Sequence, residues 1–260
     1  MVLASNDHVI AKPQKGVGFL KGRTPAGLVR AVYRRLFPRR VPPHPFDLQH
    51  GTDTGGLLPT QKTGHVHGTS YWGTAPSLMR GALARWAATL DGTSHSPADY
   101  TFIDLGCGKG RALMLASETA FGRVVGVELD AALVATARAN LALWSRSAHA
   151  CNQLEVLHQD ALAMSLPDTP VALYLYNPFD EHLIGILAER LTALQATRSH
   201  PIDVMYCRPE HAAFIEAMPG VRTLWKGEVP YTAEDTAADV FDTVQQQCFL
   251  YRLQGHAGGL

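Results

Sequence analysis

Short apolar runs alternate with helically spaced apolar residues from about residue 75 to the end of the chain. The predicted strands are 100–105, 123–129, 154–158, 171–176, 202–207, 221–225 and 243–253. The predicted helices begin at Pro76 and Arg111 and cover 131–143, 181–196 and 210–218. Strands that are apolar on both faces and alternate with helices are typical of a buried, doubly wound sheet. The pattern therefore predicts an α/β protein with a mostly parallel sheet.

The first 74 residues do not share this alternation. Residues 1–24 are polar and aperiodic, which predicts a flexible tail, and 25–37 predict a basic helix. Residues 37–74 are rich in Pro, Gly, His and Thr, so long regular elements are not expected there. We therefore divide the chain into a tail at 1–24, a basic helix and irregular extension at 25–74, and an α/β domain at 75–260.

The charges are balanced overall but unevenly placed. Residues 1–40 carry nine basic side chains and one acid, whereas the remainder carries 14 basic and 22 acidic side chains. Such a basic arm suits an acidic partner, nucleic acid or an anionic membrane surface, and its composition also resembles an organelle transit peptide. It can equally lie over the acidic body of its own chain.

Several classes of protein are not supported by the sequence. No apolar run reaches the roughly 20 residues that span a bilayer, and the first residues lack the apolar core of a secretion signal. The four cysteines form no CxxC pair, which argues against a zinc site or a disulfide framework. His65 and His67 have no evident third ligand, so no metal is expected. A reducing cytoplasm is the expected compartment.

A glycine-rich loop is the most informative segment. In FIDLGCGKGRALMLA, residues 102–116, Gly106, Gly108 and Gly110 stand between a predicted strand and a predicted helix. Backbone amides and the helix start converge there, as in nucleotide and nucleoside sites. The spacing is GxGxG rather than the dinucleotide GxGxxG, and Asp104 would repel a pyrophosphate. Glu128, at the end of the second strand, can accept from ribose hydroxyls. The predicted ligand therefore has a ribose and a positive group but no phosphate.

These residues carry a specific resemblance. The segments Asp104-Leu-Gly-Cys-Gly-Lys-Gly110 and Gly126-Val-Glu-Leu-Asp130 resemble the first two motifs of class I (Rossmann-like) S-adenosylmethionine-dependent methyltransferases. The resemblance spans about residues 71–253 and includes bacterial members loosely grouped with the non-SET lysine methyltransferases. It implies a seven-stranded Rossmann-like sheet with an N-terminal helical extension, and S-adenosylmethionine as the cofactor.

The resemblance also implies a set of cofactor contacts. The glycines would approach the methionine and ribose, Asp104 would organise the ammonium, Glu128 would hold the ribose, and Leu129 and Asp160 would contact the adenine. A segment ahead of the first strand would close over the cofactor. The implied cofactor-binding residues are Tyr71, Thr74, Asp104, Gly106, Cys107, Gly108, Gly110, Glu128, Leu129, Asp160, Ala161 and Asn177.

A tetrapeptide at the C-terminal end of the fourth strand of the domain carries the candidate chemistry. Tyr176-Asn177-Pro178-Phe179 is similar to the Asn-Pro-Pro-Tyr signature of amino-group methyltransferases. By that likeness Asn177 and the Pro178 carbonyl orient a nitrogen, while Tyr176 or Tyr71 assists proton loss. Phe179 replaces the second proline, which leaves the acceptor open: a protein, a nucleic acid or a small molecule. Two alternatives are an NAD(P)-dependent oxidoreductase and a cofactor-binding module without turnover.

Overall fold

The computed structural model describes residues 43–58 and 70–254. The predicted tail, the predicted basic helix and the two histidines at 65 and 67 lie outside these residues. The described part begins with helix α1 (Pro45–His50) and a short antiparallel pair, β1 (Leu57–Leu58) and β2 (Tyr71–Trp72). The described parts of the extension, 43–58 and 70–74, thus contain only short elements, as their composition indicates.

One seven-stranded sheet forms the centre of the fold, which confirms the predicted sheet. Its strands are β3 (Thr101–Leu105), β4 (Arg123–Glu128), β5 (Leu154–His158), β6 (Val171–Tyr176), β7 (Ile202–Cys207), β8 (Val221–Pro230) and β9 (Gln245–Leu253). They lie in the order β5-β4-β3-β6-β7-β9-β8. Strands β3 to β7 are parallel, and β9 runs antiparallel to both β7 and β8. The order reverses between β3 and β6, where doubly wound sheets bind ligands at the carboxyl ends of their strands.

Helices cover both faces of the sheet. They are α2 (Pro76–Ala88), α3 (Arg111–Ala116), α4 (Ala131–Trp144), α5 (Glu181–Gln195), α6 (Ala212–Glu216) and α7 (Ala233–Ala238). Side chains alternate across β3, so Phe102 packs on one face with Trp86, and Ile103 packs on the other with Leu187. Asp130 and Asp180 cap α4 and α5 by accepting from backbone N–H groups of the first turn.

Two elements differ from the prediction. Strand β8 continues from Val221 to Pro230, well beyond the predicted end at 225. It lies at the edge of the sheet and is largely exposed, so it lacks the continuous apolar run that marks the inner strands. Helix α7 was not predicted because its six residues, AEDTAA, carry no apolar period; Thr232 caps it by accepting from the Asp235 N–H.

Long-range pairs join distant parts of the sequence. The guanidinium of Arg252 on β9 donates to the buried carboxylate of Asp203 on β7, which also accepts from the Trp86 indole N–H. Cys207 and Cys248 face each other across β7 and β9 with their sulfurs 2.8 Å apart, although 41 positions separate them in sequence. All four cysteines are free thiols. Within the described ranges, no helix has the length and apolarity that crossing a membrane requires.

Candidate active site

A cavity of about 840 Å³ opens at the carboxyl ends of β3, β4, β6 and β7. Residues just after each of these strands and residues of the β1–β2 pair surround it. Of the residues predicted from the sequence, those that line the cavity are Tyr71, Thr74, Asp104, Gly106, Cys107, Glu128, Leu129, Asp160, Ala161, Tyr176, Asn177 and Pro178. The fold therefore brings the predicted cofactor motifs and the predicted chemical motif to one place.

The glycine-rich loop needs glycine for three different reasons. Gly106, Gly108 and Gly110 all have positive φ, at 83°, 53° and 85°. A Cβ on Gly106 would lie 3.2 Å from the Pro178 side chain, so this glycine lets the loop meet the Asn-Pro segment. The other two do not line the cavity. Gly108 lies under the Tyr71 ring, and Gly110 packs against Ala137 of α4.

Glu128 fastens the end of β4 to the glycine-rich loop. Its Oε2 accepts from the Gly108 N–H at 2.9 Å, and its Oε1 accepts from the N–H groups of Leu129 and Asp130 at 2.8 Å each. A carboxylate has about four acceptor positions, so one position is left for a ligand hydroxyl. The sequence predicted that Glu128 contacts a ribose, but it did not predict that Glu128 also stabilises the glycine-rich loop.

Asp104 is a buried carboxyl at the floor of the cavity. Burial, together with the nearby Glu128 carboxylate, raises the pKa of Asp104 to about 8. At neutral pH this group is therefore mostly protonated in the ligand-free protein. A cation bound beside it would favour its ionised form, which suits the predicted positively charged ligand.

Leu129, Asp160 and Ala161 line the cavity near the ends of β4 and β5. The side chain of Leu129 is 45% exposed at the rim, which leaves an apolar surface for a flat ring. Asp160 Oδ1 accepts from the Leu162 N–H at 2.8 Å, so this residue also stabilises a turn. The turn places the Asp160 carboxylate at the cavity.

Asn177 ends β6 in a left-handed conformation with φ of 45°, and its side chain is buried. Its Oδ1 accepts from the Tyr206 hydroxyl at 3.2 Å, which fixes the amide plane. Phe179 packs in the core and also lines the cavity. The position of the second proline in Asn-Pro-Pro-Tyr is therefore held here by a residue that packs in the core.

The tyrosines of the site hold their protons at neutral pH. Burial raises the pKa of Tyr176 to about 12, and a hydrogen bond with Tyr231 lowers it only in part. Burial also raises the pKa of Tyr71 and of Tyr174. These phenols can donate hydrogen bonds, but a phenolate base is not accessible to them near pH 7.

Sequence reasoning missed several residues at the cavity. They are Trp72, Arg111, Tyr174, Arg208 and Phe241. The Tyr174 hydroxyl lies 3.2 Å from Thr74 Oγ1. Tyr174 and Tyr176 are two positions apart on β6, so the strand period could have placed Tyr174 on the same face. No sequence pattern marked Arg208 as a cavity residue. In the structure it follows β7 and has a left-handed backbone conformation with φ of 52°.

Comparison with known proteins agrees with this arrangement. Residues 102–196 match the sequence model of a family described as "Methyltransferase domain". No curated protein matches the chain significantly in sequence.

Solved structures are more distantly similar. Magnesium protoporphyrin IX methyltransferase from Synechocystis PCC 6803 is 14% identical, with a TM-score of 0.47 over 89% of this chain and 99% of that one. An RNA methyltransferase from Salinibacter ruber is 19% identical, with a TM-score of 0.39 over 64% and 88%. At such scores the likeness is loose, and the assignment rests on the match over 102–196 and on the motifs. Residues 102–196 are therefore similar to a methyltransferase domain, in agreement with the resemblance that the two motifs of the glycine-rich loop and of the second strand carry.

Proposed function

We propose that the chain binds S-adenosylmethionine in the 840 Å³ cavity and transfers the methyl group to a nitrogen of an acceptor that enters beside Asn177. The contact between Gly106 and Pro178 carries this proposal. It places the Asn-Pro segment directly against the loop that would hold the cofactor. Such an arrangement supports transfer between two ligands bound side by side.

The residues present suit this cofactor. Asp104 would pair with the ammonium group, Glu128 would accept from one ribose hydroxyl at its remaining acceptor position, and Leu129 would cover the adenine. Asp160 would accept from the adenine amino group. When bound, the cofactor supplies a methyl group on a positively charged sulfur.

The remaining part of the cavity would hold the acceptor. Trp72, Tyr176 and Phe241 give it aromatic walls, and Arg208 and Glu210 stand at its rim as an ion pair. A concave pocket of this kind favours a small molecule or a single extended side chain over a flat macromolecular surface. The protein's contribution is chiefly alignment, which can supply up to about 7–11 kcal/mol in well-oriented reactions.

An amine acceptor must reach the site without its extra proton. For an amine of pKa near 10.4, deprotonation near pH 7 costs roughly 4–5 kcal/mol unless the site desolvates the cation. The buried Asn177 amide would accept from the neutral amine, and the Pro178 carbonyl would orient it. Since Tyr176 holds its own proton, the amine proton would leave to solvent before the amine binds.

Calorimetric titration with S-adenosylmethionine, S-adenosylhomocysteine and NADH tests the proposal. We expect micromolar binding of the first two and no binding of NADH. Binding of NADH alone would instead support the oxidoreductase alternative. Cofactor binding without methyl transfer to protein, RNA or metabolite pools would support a binding module.

The basic arm at residues 1–40 is proposed to contact an acidic partner, on the strength of its nine basic side chains against one acid. We propose the cytoplasm as the compartment, because four free thiols suit a reducing environment.

A further inference from the structure

The two described segments ahead of α2, residues 43–58 and 70–75, form a strap across the glycine-rich loop. The strap contributes Leu57, Tyr71, Trp72, Gly73 and Thr74 to the cavity wall. Its polar contacts with the domain are long-range and mostly buried. They connect it to the helix after the loop, to the loop itself and to α4.

The first tie is a buried ion pair. The Nη2 of Arg111, the first residue of α3, donates to Asp47 Oδ2 of α1 at 3.1 Å, and the two side chains are 4% and 3% exposed. Asp47 Oδ1 accepts from Thr52 Oγ1, from the Thr54 N–H and from Thr54 Oγ1. Arg111 also donates from Nε to Thr54 Oγ1 at 2.6 Å and from Nη1 to the Thr74 carbonyl at 3.3 Å. All three nitrogens of the Arg111 guanidinium therefore donate to the strap, and both segments of the strap accept from it.

The second tie is the amide of Asn140, a buried residue on α4. Its Oδ1 accepts from the Asp53 N–H at 2.9 Å, and its Nδ2 donates to the carbonyls of Asp53 and Lys109 at 2.8 and 2.9 Å. Lys109, in the middle of the glycine-rich loop, donates from Nζ to Asp53 Oδ1 and to the Gly55 carbonyl. The loop is thus held by the strap through both its backbone and its side chain.

These hydrogen bonds and the ion pair hold Tyr71 against the glycine-rich loop. The Tyr71 hydroxyl donates to the Thr54 carbonyl at 2.7 Å. A Cβ on Gly108 would lie 2.1 Å from the Tyr71 ring, and a Cβ on Gly73 would lie 2.6 Å from the Thr54 carbonyl oxygen. Neither glycine has room for a side chain, so the Tyr71 ring lies directly against the backbone of the loop, and the Thr54 carbonyl lies directly against the backbone at Gly73.

We propose that Arg111, Asp47 and Asn140 are positioning residues for the cofactor, because they hold the strap, and with it Tyr71, closed over the glycine-rich loop. The inference rests on the proposed function. A wall that is already closed lowers the ordering cost of binding and slows ligand escape. Loss of a tie should therefore weaken cofactor binding mainly through faster dissociation.

The test measures S-adenosylhomocysteine binding by calorimetry and its dissociation rate by stopped flow, for the full chain and for Asp47→Asn and Asn140→Ala. We expect each variant to bind about tenfold to hundredfold more weakly, with most of the change in the dissociation rate. Asn140 does not line the cavity, so its effect cannot come from a lost ligand contact. If Asp47→Asn does not fold, Asn140→Ala still provides the test because it removes no charge.

Asp203→Asn is the matched control. It disrupts another buried ion pair, with Arg252 on the far strands, and so imposes a comparable loss of stability away from the strap. Thermal melts without ligand should show that loss, while S-adenosylhomocysteine affinity should match that of the wild type. Folded variants of Asp47 and Asn140 that bind within twofold of the wild type would overturn the inference. A wild-type chain that does not bind S-adenosylhomocysteine would instead overturn the proposed function.

Discussion

Asp104 is suited to bind the ammonium group of the cofactor, but its burial lowers the stability of the folded protein as the pH rises. Its pKa is raised to about 8 by burial and by Glu128, whereas an aspartate in an unfolded chain titrates near 3.9. Between these values the folded protein binds a proton that the unfolded chain does not. Stability must then fall as the pH rises from about 4 to 8.

We therefore expect Asp104→Asn to stabilise the ligand-free protein at pH 8 and to flatten this part of its pH dependence. The contribution removed is at most about 1.4 kcal/mol per pH unit in the free energy of unfolding. Urea unfolding of the wild type and the variant at pH 5, 6.5 and 8 measures it. Parallel pH profiles for the two proteins would contradict the assignment.

The same carboxyl predicts proton release on cofactor binding. A bound ammonium favours the ionised form of Asp104, so binding near pH 7 should release up to one proton and strengthen as the pH rises toward 8. Calorimetric titration of S-adenosylhomocysteine in two buffers of different ionisation enthalpy counts these protons. Asp104→Asn is the control, and an equal proton count in the variant would place the titrating group elsewhere.

Asn177 should matter for transfer and not for cofactor binding. Asn177→Ala removes the amide that would orient the acceptor, so we expect methyl transfer to fall by about tenfold to hundredfold while S-adenosylhomocysteine affinity stays within about threefold. Transfer of a radiolabelled methyl group to fractionated cell metabolites provides the measurement. Equal transfer by the variant would show that the Asn-Pro segment serves only as a turn and has no part in methyl transfer.

At the scale of elements, most strands were predictable, but the second half of the edge strand β8 was not. Strands β3 and β6 are buried over nearly their whole length, so their apolar runs mark them within a residue. The two cofactor motifs were predictable because each is a continuous segment of the sequence, made of a strand end and the loop that follows it. The tie between Asp47 and Arg111 was not, since 64 positions separate two charges that carry no local pattern. Tyr206 was missed for the same reason: its role depends on β7 lying beside β6.

The contact between strap and loop can be tested at this scale. Gly108→Ala adds a Cβ where the Tyr71 ring lies and strains a residue with φ of 53°. We expect S-adenosylhomocysteine affinity to fall by about tenfold or more. Combining it with Tyr71→Ala should cost less than the sum of the two single changes, because the two residues share one contact. Additive losses in calorimetric titrations would show that the two act separately.

For the whole molecule, residues 43–254 contain the sheet, both faces of its core and the cavity. We therefore expect removal of residues 1–40 to leave the thermal unfolding midpoint and the S-adenosylhomocysteine affinity unchanged. Retention on a heparin column should fall, since the deletion removes nine basic side chains and one acid. A shortened chain that does not fold would make the arm a structural part of the domain.

The order of the strands also separates the residues proposed to bind the cofactor from those proposed to bind the acceptor. Apart from the strap, which lines both parts of the cavity, the proposed cofactor contacts lie on the loops that follow β3, β4 and β5, and the proposed acceptor walls come from the ends of β6 and β7 and from Phe241. Mutations on one side of the switch point can therefore accumulate with little effect on the other. Descendants of such a chain can change what they methylate while they inherit the means of holding the methyl donor intact.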